Sequence, residues 1–380
     1  MNGTRPQTGD IAIVGAGLIG LSIAFQLASR GATVRVYDTG EPAHGASWAG
    51  AGMLAPLTES IDDEELRQLC EASLRAYPGF VEAIVAASGI DPHLRLDGLI
   101  YGAFDRASLD ALRRRIAALQ QSDLRVRLLD HSEAIAYEPV LGKRVLGAAL
   151  MEDEGHVDNR RLGRALFAAC TSLGVRVQSG VGRLQVKHDT RKTLGVSTEE
   201  GFFAASAVVN AAGAWAGLIE GVPQSCVVPV VPIKGQMLAL ATPAGMIRHA
   251  VWLPGAYLVP RDDGRLLVGA TVEDRGFDTR VTAAGIRALL DAALEAVPAL
   301  EDFALTETWA GLRPGTPDGK PFIGGTPLEG YFIATGHFRN GILLAPVTAA
   351  LIADAVEGRT MSRELTRFAL ERVQPEHAHR

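Results

Sequence analysis

The sequence predicts an α/β chain in which a parallel sheet is interleaved with an α+β region built on a mostly antiparallel sheet. Three features point there. The apolar strand Ile11-Ala12-Ile13-Val14, helical spacing over 18–30 and a second apolar strand over 32–38 form a βαβ unit of about thirty residues. Val208-Val209-Asn210-Ala211-Ala212-Gly213 and Tyr331-Phe332-Ile333-Ala334 are short, nearly continuous apolar runs, the pattern of strands buried on both faces. Between 225 and 275 the segments AYLVPR and RLLVGA flank Asp262-Asp263-Gly264, a hairpin signal.

The other elements follow in chain order. Residues 1–9 are polar and aperiodic and read as a flexible terminus, as do 366–380. Gly31 suits the position just past the first helix. AHGASWAGAGMLAP (43–56) is too rich in small residues for a packing helix and too apolar for a solvated loop, so something large is expected against its backbone. Helical patterns occupy 63–88, 107–121, 162–173 and 283–296, the last stopped by Pro298, and a final helix runs over 342–357. Strand patterning restarts at Val175-Arg176-Val177, before a hairpin with its polar tip at 188–192. With 380 residues and about 150 per domain, two domains are expected. No repeat or low-complexity linker separates them, so the chain should cross between them. Residues 10–88, 145–220 and 306–365 are assigned to the parallel-sheet domain, and 89–144 and 221–305 to the other.

Composition excludes several classes. Hydrophobic residues at 47% and charged residues at 21% argue against disorder, a coiled coil or a fibre. A net charge of -6 without a basic stripe argues against nucleic acid as a partner. Cys70, Cys170 and Cys226 are odd in number and far apart, which leaves neither a disulfide framework nor a Cys-x-x-Cys motif and fits a reducing cytoplasm. No metal is expected. The stretches 11–28 and 202–219 mimic membrane segments, but the first is broken by Gly15, Gly17 and Gly20 and the second by Asn210 and Gly213, so no stable membrane insertion is expected.

Gly15-Ala16-Gly17-Leu18-Ile19-Gly20 follows a strand and opens a helix, the context that gives a Gly-x-Gly-x-x-Gly pattern its meaning. Gly15 permits the tight turn, Gly17 lets a pyrophosphate approach the backbone, and Gly20 lets helix and strand pack closely. The helix N-terminus adds amide donors and a positive dipole end. Asp38, 18 residues after Gly20 at the end of the second strand, can accept the hydroxyls of an adenosine ribose. This is a Rossmann-like dinucleotide site. The fingerprint alone leaves NAD and FAD open. Two features favour FAD: the small-residue loop at 45–53 and a glycine-bounded helix start, Gly336-His337-Phe338-Arg339-Asn340-Gly341, near the far end of the chain. Its helix N-terminus would stabilise the negative charge that reduction places on a flavin.

The blocks ASWAGAGMLAP (46–56), WAGLRPGTPDGKPFIG (309–324) and GHFRNGILLAP (336–346), in that order behind GAGLIG, closely resemble the glycine oxidases of thiamine biosynthesis, within the D-amino-acid oxidase family of FAD-dependent oxidoreductases. The resemblance covers about 10–360. It implies an FAD-binding domain and a substrate domain whose sheet roofs the flavin. By position, Leu18, Ile19, Asp38, Thr39, Ala46 and Ser47 would line the adenine and pyrophosphate half, with the strand around Arg183 giving a backbone contact to adenine, and Gly213 is also expected to bind the cofactor. Ala51, Gly52 and Met53, then His337, Phe338, Arg339, Asn340, Gly341, Ile342 and Leu343, would line the isoalloxazine. Arg313 matches the arginine that binds the substrate carboxylate, Arg339 the second basic contact and Tyr257 the hydroxyl contact. Gly255 stands where a histidine is often found, and Val272 where the family pattern places a pocket methionine. Related sarcosine oxidases attach flavin through a cysteine near the C-terminus; the last cysteine here is Cys226, which implies noncovalent FAD.

The implied reaction oxidises glycine and other small amines, such as sarcosine and D-alanine, with dioxygen as acceptor. It needs a hydride moved from the α-carbon to the flavin, so the protein must mainly position that carbon. A planar guanidinium fixes a carboxylate in orientation as well as charge, the role implied for Arg313. His337 reads as a loop residue rather than a general base. The alternatives are a D-amino-acid or sarcosine dehydrogenase using another acceptor, and a noncatalytic flavoprotein subunit. A homotetramer is the assembly the resemblance suggests.

Overall fold

The computed structural model describes residues 10–59, 63–118, 124–359 and 363–373. A six-stranded sheet runs in the order Phe322–Gly325, Tyr331–Thr335, Ala207–Asn210, β1 (Ile11–Val14), β2 (Val34–Tyr37) and Arg176–Gln178. All neighbours are parallel except the Phe322–Gly325 edge. β1 takes a central place because it is apolar on both faces, and all four of its residues are buried. Its register pairs Val14 with Asn210 on one side and Tyr37 on the other, so three carboxyl ends meet at one level. The helix that follows, α1 (Leu18–Ser29), packs against the helices Asn159–Ser172 and Ala345–Val356.

An eight-stranded sheet runs in the order Leu305–Gly315, Val231–Ala241, Arg265–Gly269, Ala256–Pro260, Ala250–Leu253, Leu99–Ala103, Gly147–Met151 and Val126–Asp130. It is antiparallel apart from the pairing of Ala250–Leu253 with Leu99–Ala103. The hairpin around Asp262-Asp263-Gly264 is present, Tyr257 pairing with Gly269 and Pro260 with Leu266. The helix Ala283–Ala296 covers one face, its Leu289 and Ala293 buried in the core beneath.

Two strands cross the domain division that the sequence pattern suggests. Gly147–Met151 and Leu305–Gly315 fall largely in segments grouped with the parallel sheet, yet both bond into the eight-stranded one. Gly147–Met151 is buried along its whole length, so it lacks the alternation that marks an antiparallel strand. The C-terminal reading also needs correcting. Between 366 and 373 the chain is not a loose end: Phe368 and Leu370 are buried, and Arg372 pairs with Asp318 at 2.7 Å while covering the Phe322 ring at 3.9 Å. Residues 1–9 and 374–380, also expected to be flexible, lie outside the described residues, as does the end of the helix expected over 107–121, which is described as Arg106–Ala118. Among the described residues no helix is long and apolar enough to cross a membrane.

Candidate active site

A cavity of about 600 Å³ extends from the carboxyl ends of β1 and β2 to the face of the eight-stranded sheet. At its first end the turn out of β1 depends on glycine. Gly15 has φ 108, and a Cβ there would lie 2.4 Å from the Ala211 carbonyl oxygen. A Cβ on Gly20 would lie 1.9 Å from the Gly15 oxygen, so this glycine sets how closely α1 sits on the turn. Gly17 caps α1 without a side-chain hydrogen bond, and no acidic residue occupies the first turn. The positive end of the helix therefore faces the cavity without an acid in its own first turn, and its Leu18 N–H donates to Ser47 Oγ at 2.9 Å. Asp38 closes this end, its carboxylate accepting the N–H groups of Ala16 at 2.6 Å and Gly40 at 2.7 Å.

The small-residue loop forms the middle wall, with one helical turn at Ala46–Ala49. Side chains from outside hold its carbonyls. Trp309 Nε1 donates to Ala49 O at 2.9 Å, Asn159 Nδ2 to Ser47 O at 2.8 Å and Arg261 Nη2 to Ala51 O at 2.7 Å. Burial pulls Arg261 down to about 10, which still leaves it charged at neutral pH. Opposite, the loop after Tyr331–Thr335 is tied to the helix Glu64–Ser88: Ser73 donates to Leu343 O at 2.6 Å and Tyr77 to Ile342 O at 2.9 Å. His337 is buried with Nε2 3.0 Å from Thr348 Oγ1, and burial lowers it to about 3. A neutral imidazole engaged this way anchors a loop.

The far end lies on the eight-stranded sheet. Arg313 projects from Leu305–Gly315, and its Nη1 donates to Thr271 O at 3.0 Å. The neighbouring strand makes room for it with Gly235, where a Cβ would fall 2.4 Å from Nη1. Tyr257 is accommodated the same way by Gly269, where a Cβ would fall 2.7 Å from the ring. The Tyr257 hydroxyl lies 3.8 Å from Met237 Sδ. Burial lowers Arg313 and raises Tyr257, and the proximity of the two side chains partly offsets both shifts. Arg339 pairs through Nε with Glu59 Oε2 at 2.7 Å and lies over the Trp252 ring at 5.3 Å.

Of the residues expected to bind cofactor or substrate, the cavity gathers all except Gly20, Asn340 and Leu343. Gly20 and Leu343 act in packing behind the wall; Leu343 is buried in the core. Arg183 stands at the rim, mostly exposed and paired with Glu220. Gly255 and Val272, the positions at which the family pattern changes, do not line the cavity, and Val272 is 55% exposed. Glu59, Gly235 and Met237 do line it and were not legible as site residues. No local signal marks them, because each reaches the cavity through a tertiary contact.

Residues 10–355 match the family described as FAD dependent oxidoreductase (DAO). The chain is 38% identical over 371 residues to the bifunctional protein ThiO/ThiG of Synechocystis sp., covering 96% of this chain and 54% of that one, so it spans about half the length of the bifunctional relatives it matches. It is 36% identical over 366 residues to glycine oxidase of Geobacillus kaustophilus, covering 96% of this chain and 97% of the other. The crystal structure of glycine oxidase from Geobacillus kaustophilus superposes with a TM-score of 0.90 at 35% identity, over 97% and 100% of the two chains. The family match runs through both sheets and every segment that walls the cavity, and the chain accordingly belongs to the DAO family of FAD-dependent oxidoreductases.

Proposed function

We propose that this chain oxidatively deaminates glycine, and other small primary or secondary amines such as sarcosine and D-alanine, to the imine and then the 2-oxo acid, releasing ammonia and hydrogen peroxide. One observation carries the reading: a single cavity joins a dinucleotide-type turn to an arginine and tyrosine suited to a carboxylate. Its residues fit FAD. The uncapped start of α1 suits a pyrophosphate, Gly17 keeps that approach open, and Asp38 suits a ribose. Leu18, Ile19, Thr39, Ala46 and Ser47 would hold the same half, with Arg183 and Gly213 at the adenine. Ala51, Gly52, Met53 and, from the loop, His337, Phe338, Arg339, Gly341 and Ile342 would hold the ring system, with Leu343 packed behind them. Bound FAD supplies the hydride acceptor and hands the electrons on to dioxygen.

The chain's own part is to bind and orient. Arg313 fixes the substrate carboxylate with a planar pair of N–H donors and Tyr257 adds a hydroxyl, which together leave the α-carbon one pose. Arg339 raises the positive potential of the site. No side chain of the wall is needed as a general base, and His337 is neutral and engaged with Thr348. The similarity to ThiO/ThiG supports a place in thiamine biosynthesis, supplying the imine of glycine for the thiazole. The family resemblance supports noncovalent FAD and a homotetramer, and three separated free cysteines suit a reducing cytoplasm.

The test is an anaerobic titration of the purified protein with glycine, following the visible flavin band. Bleaching that reverses in air with peroxide formed is expected. A yellow protein that glycine does not bleach removes glycine as substrate, and bleaching that air reverses only slowly indicates a dehydrogenase.

A further inference from the structure

We propose that Glu59 sets the charge of the substrate: by holding Arg339 it leaves the site able to take one carboxylate and turns away molecules with a second. This rests on the reading of Arg313 as the carboxylate anchor.

Glu59 is on the cavity wall, its side chain 9% exposed, with Oε2 2.7 Å from Arg339 Nε. It is not a swinging surface acid. The segment before it is fixed from below by the buried Glu154, which accepts the N–H groups of Leu57 and Thr58 and the Thr58 hydroxyl. Arg115 donates to the Leu57 carbonyl, and to that of Thr58 at 3.0 Å. Arg339 is held from its other side by the Trp252 ring. Burial raises Glu59 above the usual carboxylate range, and the guanidiniums of Arg339, Arg313 and Arg115 oppose that rise and favour its charged form.

On the cavity wall the Arg313 and Arg339 guanidiniums face one carboxylate, Glu59, whose ion pair with Arg339 leaves a single positive charge there for one substrate carboxylate with a neutral amine to balance, while Arg115 acts on Glu59 from behind the wall. A second carboxylate would have to enter beside Glu59, meeting like charge, and would find Arg339 already paired. Glu59→Gln keeps the shape, removes the repulsion and frees Arg339.

The test uses the FAD-loaded protein and two unreactive probes, acetate and malonate, titrated against the visible flavin spectrum so that no turnover is required. Glu59→Gln is expected to raise malonate affinity relative to acetate by about tenfold or more, and the gain should vanish in the Glu59→Gln/Arg339→Met double variant. A malonate-to-acetate ratio within about twofold of the parent overturns the proposal. Should Glu59→Gln not fold, Glu59→Ala, which also removes the carboxylate and leaves Arg339 in place, is titrated with the same two probes. A malonate-to-acetate ratio raised about tenfold or more supports the proposal, and one within about twofold of the parent overturns it. Arg313→Ala separates the two claims. Acetate binding untouched by that change overturns the anchor reading and this proposal with it; acetate weakened there, with the ratio unmoved in Glu59→Gln, overturns this proposal alone.

Discussion

Gly235→Ala tests the carboxylate anchor without altering a single charge. Gly235 lies in the strand Val231–Ala241 beside the strand that carries Arg313, in ordinary extended backbone, so a methyl group adds no strain of its own. That methyl would sit 2.4 Å from Arg313 Nη1, 2.5 Å from Nη2 and 2.6 Å from Cζ. Unbonded heavy atoms rest roughly 3.5 Å apart, so the guanidinium must retreat by about 1 Å. The retreat breaks the 3.0 Å bond from Nη1 to Thr271 O and misaligns the fork that is to meet the carboxylate. A charge-assisted contact contributes about 1.5–3 kcal/mol, so acetate affinity and glycine KM should worsen roughly 10- to 150-fold. Overpacking the strand should cost about 1–3 kcal/mol of stability, seen as a lower Tm. The assay is acetate titration of the flavin spectrum beside steady-state glycine kinetics, with flavin content as the control. A variant with depressed Tm but acetate affinity within about twofold of the parent would show that Arg313 is displaced without consequence and is not the anchor.

Three further outcomes are expected. Tyr257→Phe removes one neutral hydroxyl contact and should weaken acetate by about 2- to 12-fold while keeping full flavin; an unchanged constant removes Tyr257 from the carboxylate site. At Gly17 a Cβ already lies 3.2 Å from Ser47 Oγ, so the branched side chain of Gly17→Val should block the pyrophosphate and give a colourless protein; purification in the fully yellow form contradicts the fingerprint assignment. Burial holds Glu154 up at about 7 from the usual 4.5, so the folded chain binds this proton more tightly than the unfolded one. The stabilisation is complete below the unfolded value and is lost as pH rises through about 7, by about 3 kcal/mol at the most. Glu154→Gln should therefore flatten the fall of Tm between about pH 5 and pH 8, and an unaltered slope refutes the assignment.

The strand, glycine turn and helix start that wall one end of the cavity were legible in the chain itself. Gly15, Gly17, Gly20 and Asp38 act within one strand, turn, helix and strand, where the spacing of glycines dictates the turn and the helix start that follows it. The hairpin at Asp262-Asp263-Gly264 was legible for the same reason, since its two strands are covalent neighbours. Arg313 and Tyr257 were marked as types and positions by a family resemblance, not by local physics.

Tertiary structure alone decided what surrounds them. Gly235 and Gly269 look like unremarkable strand glycines until the registers Ile233 with Arg313 and Tyr257 with Gly269 turn them into the notches that hold the two side chains. Glu59 meets Arg339 across 280 positions of sequence, and Met237 rather than Val272 or Gly255 borders the Tyr257 hydroxyl. The strand Gly147–Met151 joins the eight-stranded sheet because both its faces are covered there, a fact its unbroken apolar run cannot express. Short-range backbone geometry is written in residue spacing, whereas the register between strands far apart in the chain is set by the packing of the whole core.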